Sequence, residues 1–241
     1  MKWRDGFFRC LLSWFLPWLL LGFRVEIAAQ EALYPDFSQV QGEFWVERSR
    51  LSSYDAPFIE QIPDEMTTEE SVLVLLELSR RMFSGMIYGF NFYYQPSDNL
   101  RQVEEIFNLE PIHQIPWGDS GLKYVGHIEN DGRIEMSFRY LTKDYEIARL
   151  KGWRSTRFPN SSGGAASPDR AHLRSRLESL EMAVKEALRS HFRAVILNKP
   201  RSISGRLALL SMPRSYPESG LIYTTVNIVI DTDVVTPYQL Y

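Results

Sequence analysis

Between residues 122 and 140 the chain alternates apolar and polar side chains on both sides of Asn130-Asp131-Gly132. Leu122, Tyr124, Gly126 and Ile128 mark one arm; Ile134, Met136, Phe138 and Tyr140 mark the other. Period-two alternation around a Gly-containing turn commits this stretch to an antiparallel hairpin. A three-residue loop places Gly132 where a left-handed residue is wanted. It also sets Tyr124 opposite Phe138, Ile128 opposite Ile134 and His127 opposite Glu135, with the apolar faces in phase. A two-residue loop would put Ile128 across from Glu135, so the longer loop is expected.

The flanking segments mix helical and strand periods. Residues 42–46 read as a first strand and 49–66 as an irregular connection. Thr67-Thr68-Glu69-Glu70 is a capping box, with Thr67 as cap and Glu70 reaching back. It starts a buried helix that is expected to end at Ser84-Gly85. Residues 86–94 read as a strand with Met86, Tyr88, Phe90, Phe92 and Tyr94 on one face. A short helix after Ser97-Asp98 would carry Leu100, Val103, Ile106 and Phe107, and another helix covers 142–152. Residues 154–168, rich in Ser, Gly, Pro and Ala, read as a flexible loop. Ser167-Pro168-Asp169 would open the longest helix, with the stripe Leu173, Leu177, Leu180, Val184, Leu188, Phe192 and Val195. Strands near 205–212 and 221–230 follow, the second apolar on both faces and so central.

These elements imply an α+β fold: mostly antiparallel sheet of about six strands packed against three or four helices. With 44% apolar and 24% charged residues the chain is too apolar for disorder. One Cys and four His supply neither a disulfide framework nor a zinc ribbon, and no metal or other cofactor is expected.

Residues 1–9 carry Lys2, Arg4 and Arg9, and a 14-residue, mostly apolar run, 10–23, follows. That run is shorter than the roughly 20 residues a spanning helix needs, and Pro17 interrupts it. With Ala28-Ala29 offered to a peptidase, residues 1–29 read as a secretory signal, leaving 30–241 as a single domain. Without cleavage the same run would be a membrane anchor. Export would carry the protein to the periplasm or outside the cell.

The net charge of −3 conceals a division. Residues 30–138 hold 7 basic and 19 acidic side chains; residues 139–214 hold 16 basic and 6 acidic. Part of this is internal complementation. The remainder predicts a basic surface of Arg189, Arg193, Lys199, Arg201 and Arg206, offered to an acidic protein or another envelope component, including an anionic membrane surface. Such a field fades beyond about 8 Å at physiological salt, so the partner must come close. Nucleic acid is not expected, because export removes it.

Gly118-Asp119-Ser120-Gly121 resembles the nucleophile segment of trypsin-like proteases. With Asp169-Arg170-Ala171-His172 it also resembles fragments of the lipase family with a Gly-Asp-Ser-Leu nucleophile. That second resemblance implies Ser120 as nucleophile, Asp169 as orienting acid and His172 as base. Here, however, the fourth motif residue is Gly121, and only 49 residues separate Ser120 from Asp169, too few for the βα units that fold places between them. A turn and a helix start account for both strings. The expected function is therefore binding or assembly without catalysis. A small-molecule or glycan site on the aromatic strand ranks second, and a serine hydrolase third.

Overall fold

The computed structural model describes residues 36–47, 67–130, 132–168 and 172–238. The leader at 1–29, the connection at 49–66 and Asp169 lie outside the described residues. The element order is β1 (Gln39–Glu47), α1 (Thr68–Ile87), β2 (Phe90–Gln95), β3 (Ile106–Pro111), β4 (Leu122–Asn130) and β5 (Arg133–Leu141). It continues α2 (Asp144–Trp153), β6 (Asn160–Pro168), α3 (His172–Val195), β7 (Ser202–Leu209), β8 (Arg214–Glu218) and β9 (Leu221–Thr236). Among the described residues, three helices and two antiparallel sheets make the protein α+β.

The first sheet has strand order β1-β5-β4. Ile134, Met136, Phe138 and Tyr140 are fully buried on one face of β5, and Phe44 of β1 packs edge-on to Phe138 and to Phe83 of α1. Each such side chain contributes about 1.5–3 kcal/mol on leaving water, so this contact, more than helix propensity, holds α1 in place. The capping box forms as expected: the Thr67 amide donates to Glu70 Oε2 at 2.8 Å and the Glu70 amide to Thr67 Oγ1 at 3.2 Å.

The second sheet runs β3-β2-β7-β9-β6, with β8 also on β9. β9 is central, as its two apolar faces predict: β6 and β8 pair with its first part and β7 with its second. α3 lies across β6 and β9, and α1 reaches β1 and β5 of one sheet and β7 of the other. α2 is anchored by Glu146, which is wholly buried. Its Oε1 accepts from the hydroxyls of Tyr88, of Tyr140 at 2.9 Å and of Tyr145 at 3.2 Å.

Several expectations are corrected. The hairpin keeps Tyr124 opposite Phe138, but Asn130 pairs with Arg133, so only two residues form the turn. A bulge at Val125 absorbs the offset, because one extra residue on a strand resets the register beyond it. Ile128 therefore lies opposite Glu135 and is exposed, and His127 lies opposite Met136. α1 continues through Ile87, so Met86 and Tyr88 belong to the helix and its cap. The break comes at Gly89, with φ of 80°, a conformation that costs glycine little.

The expected short helix after Asp98 is instead a turn closed by the Asp98–Val103 bridge, followed by β3. The expected loop at 154–168 contains β6, in which Ser167 and Pro168 pair with Ile222 and Leu221. They therefore end a strand, and α3 begins at His172. The small residues that resembled a linker let α3 approach the sheet: a Cβ on Gly163 would overlap the Ala183 carbonyl and stand 2.5 Å from the Ala187 amide nitrogen. Among the described residues no helix is long and apolar enough to cross a membrane.

Candidate functional site

The stripe of α3 turns Leu180, Val184, Leu188 and Phe192 inward, all buried. Arg189 and Arg193 are thereby carried to the flank of the helix, and Pro200, also buried, helps shape the return toward β7. A cleft of about 500 Å³ opens there. Its buried apolar part is Phe192, Pro200 and Ile203; Arg189, Arg193 and Lys199 stand in its walls, and Leu197 is fully exposed at its border.

The cations in this region are not equivalent. Arg189 Nη2 donates to Glu105 Oε1 and its Nη1 to Glu186 Oε1, each at 2.5 Å, while Nε donates to the Tyr94 hydroxyl at 3.3 Å. Lys185 Nζ donates to Glu105 Oε2 at 2.8 Å. Burial alone would raise the Glu105 carboxyl, but hydrogen bonds and charge from Lys185 and Arg189 outweigh it and hold that carboxyl below its ordinary range. Arg189 is thus a strut between α3 and the segment entering β3. Lys199 Nζ donates to the Ser97 carbonyl. Arg206 Nη2 meets Asp231 Oδ2 at 2.6 Å and is not among the cleft walls. Arg193 and Arg201 are exposed and pair with no acid among the described residues.

Of the five predicted binding residues, the structure therefore brings Arg189, Arg193 and Lys199 to one cleft. Arg201 lies next to Pro200 in the chain, and Arg206 is spent on Asp231. Glu105 and Tyr94 complete the polar wall and were missed. Residue 105 precedes a strand that reads as a helix in the sequence, and nothing in the chain alone joins it to α3.

Gly118-Asp119-Ser120-Gly121 forms a turn ahead of β4. Asp119 Oδ1 accepts the Gly121 amide at 2.8 Å, and Oδ2 accepts Lys143 Nζ at 3.0 Å. The Gly121 hydrogen bond, helped by Lys143 and opposed by burial, keeps the Asp119 carboxyl below its ordinary range. Ser120 is exposed and makes no hydrogen bond among the described residues. His172 opens α3; Asp169, as noted, is not described. His127 contacts the Tyr124 hydroxyl rather than Glu135. On β2, Phe92 and Tyr94 face the interior against Phe192 and Phe107, which leaves Tyr93 as the strand's more exposed ring. Among the described residues no group of three or more His, Cys, Asp or Glu could hold a metal ion.

The chain is 25% identical over 191 residues to an uncharacterised protein of Treponema pallidum (strain Nichols), covering 76% of this chain and 80% of that one. No solved structure shows detectable similarity. A protein-family model matches residues 28–238, and the chain belongs to that family, one of uncharacterised function.

Proposed function

We propose that this chain is an exported protein that acts by binding or assembly without catalysis, and that the cleft at the end of α3 receives an acidic segment of a partner protein. The carrying observation is that Arg193 and Arg201, beside a cleft with a buried apolar part, have no acidic partner among the described residues. Neighbouring cations, by contrast, are consumed by Glu105, Glu186 and Asp231. Arg193 in the wall of an apolar patch, with Arg201 next in the chain to Pro200 of that patch, suits a segment that alternates carboxylates with apolar side chains. Export is supported by the basic-then-apolar leader read over residues 1–29 and by a family match that begins at residue 28, within two residues of that leader's end.

The test uses the full chain and a fluorescein-labelled peptide of alternating Glu and Leu. Fluorescence anisotropy should show saturable binding that weakens steeply with added salt, while a Gln-Leu peptide binds far less. Replacing Arg193 and Arg201 together by Glu should abolish binding with the melting temperature unchanged. Equal binding by the double variant and the wild type would sink the reading.

A further inference from the structure

Two leucines are left in water at one end of the second sheet. Leu100, in the turn after β2, is 94% exposed, and Leu197, two residues past α3, is fully exposed. Single exposed apolar residues are ordinary on a surface, but these two are tied to one place. Lys199 Nζ donates to the Ser97 carbonyl, and Ser97 and Leu197 stand in the walls of the same cleft. Leu100 follows Ser97 by three residues, within the turn that Asp98 and Val103 close. Arg101 foremost, and more weakly the charge on Lys199, hold the Asp98 carboxyl below its ordinary range, so the two turns are also neighbours electrostatically. The chain tail joins them: the Arg201 amide donates to the Thr236 carbonyl at 2.8 Å, and the Arg101 guanidinium lies 4.2 Å over the Tyr238 ring.

The charge around Leu197 is one-sided. From Ala187 to Pro217 the chain carries six arginines and lysines and no aspartate or glutamate. Three of the six, Arg193, Lys199 and Arg201, bracket Leu197 and are exposed. On the other turn Asp98 is held by Arg101 at 2.6 Å. The exposed acids nearest in the chain, Glu104 and Asp233, lie outside the stretch that carries Leu197. A side chain that stands clear of its own fold gives a protein partner no shaped surface to close upon. A bilayer supplies apolar volume without a matching shape, and leucine gains on leaving water for it. Arginine and lysine beside such tips rest their stems on the acyl boundary and keep their charges among the headgroups, which attract them when anionic.

We infer that this end of the molecule docks on an anionic lipid bilayer, with Leu100 and Leu197 entering the acyl boundary and Arg193, Lys199 and Arg201 at headgroup level. The inference goes beyond the acidic-segment reading. It shares Arg193 and Arg201 with that reading but depends on Leu100, which is not part of the cleft wall.

The apolar run at 10–23 would itself draw the full chain to vesicles, so the readout is taken at the site. In a Cys10→Ser background, an environment-sensitive nitrobenzoxadiazole label is placed through Asn198→Cys or, as control, Lys151→Cys. Lys151 belongs to α2, which meets Gly89 through Trp153 at the opposite end of β2. Vesicles are equal parts phosphatidylcholine and phosphatidylglycerol with a spin-labelled lipid, or phosphatidylcholine alone. The label at 198 should shift to the blue and be quenched on the mixed vesicles, and the label at 151 should not. Phosphatidylcholine alone should bind more weakly by about fivefold for each cation that reaches the headgroups. Leu100→Asp should weaken docking at least about tenfold, with the melting temperature and capture of the Glu-Leu peptide unchanged. Equal quenching at 198 and 151 would overturn the proposal, as would equal quenching at 198 on both vesicle types. Quenching at 198 that survives Leu100→Asp with Leu197→Asp but is lost in Arg193→Glu with Arg201→Glu would reduce the surface to charge capture alone and overturn it too.

Discussion

Gly163 of β6 faces Ala187 of α3 so closely that a methyl group on the glycine would stand 2.5 Å from the alanine's amide nitrogen and overlap the carbonyl one turn earlier. Backbone cannot retreat the way a side-chain tip can. Gly163→Ala should therefore cost about 1–3 kcal/mol through overpacking. Gly164→Ala meets the movable Tyr223 hydroxyl instead, at 2.5 Å, and should cost clearly less. Urea midpoints at constant slope would rank the two; the reverse order would show that α3 does not rest on β6 through this glycine.

Glu105 makes stability depend on pH in a definite direction. Its folded-state carboxyl lies below the ordinary 4.5 because Lys185 and Arg189 overcome the effect of burial. The stabilisation is therefore full above pH 4.5 and is lost as pH falls through the lower folded value. Glu77, Asp98 and Asp119 are lowered too, so the informative quantity is a difference. Between pH 7 and 3 the gap in melting temperature between wild type and Glu105→Gln should narrow. A constant gap would mean that the charge on Glu105 contributes nothing.

The tyrosines around Glu146 give the opposite, alkaline signature. Burial first, then hydrogen bonding to Glu146, pushes the Tyr88 and Tyr140 hydroxyls well above their ordinary 10. Both should stay neutral in the folded chain while exposed tyrosines ionise, and stability should fall as pH rises past 10, where the unfolded chain can ionise them. Ultraviolet titration would show two tyrosines ionising only on unfolding. Tyr88→Phe removes one donor to a buried carboxyl and should cost about 1–3 kcal/mol, read from the shift in thermal midpoint.

Arg206 is paired at the surface with Asp231. Its guanidinium is half exposed, so Arg206→Ala should change stability by no more than about 1 kcal/mol and leave capture of the Glu-Leu peptide intact. Loss of capture would return Arg206 to the binding surface.

The parts of this fold that were legible in sequence are those set by local rules. Thr67 and Glu70 satisfy one another's backbone, the stripe of α3 is long enough to give one answer, and Ile134 to Tyr140 alternate without interruption. The failures share a physical origin, since neighbours distant in sequence decided them. The run from Asn160 to Pro168 lacks side chains that favour a strand; it is one because β9 pairs with it and α3 needs its thinness. The aromatic alternation before Phe90 could not show that Gly89 places the break. At the cleft, Arg189 and Arg193 look alike in sequence, and only the arrival of Glu105 makes one a strut and leaves the other free.

β9 serves three partners at once: β6 along one side, β8 and then β7 along the other. All three precede it in the chain. During synthesis they must wait, with hydrogen-bonding edges open to any other extended chain, until residues 221–236 emerge. Completion of this sheet is therefore a late event: a polypeptide halted before Leu221 has β3, β2 and β7 to pair with one another, but nothing to join β6 and β8 to them.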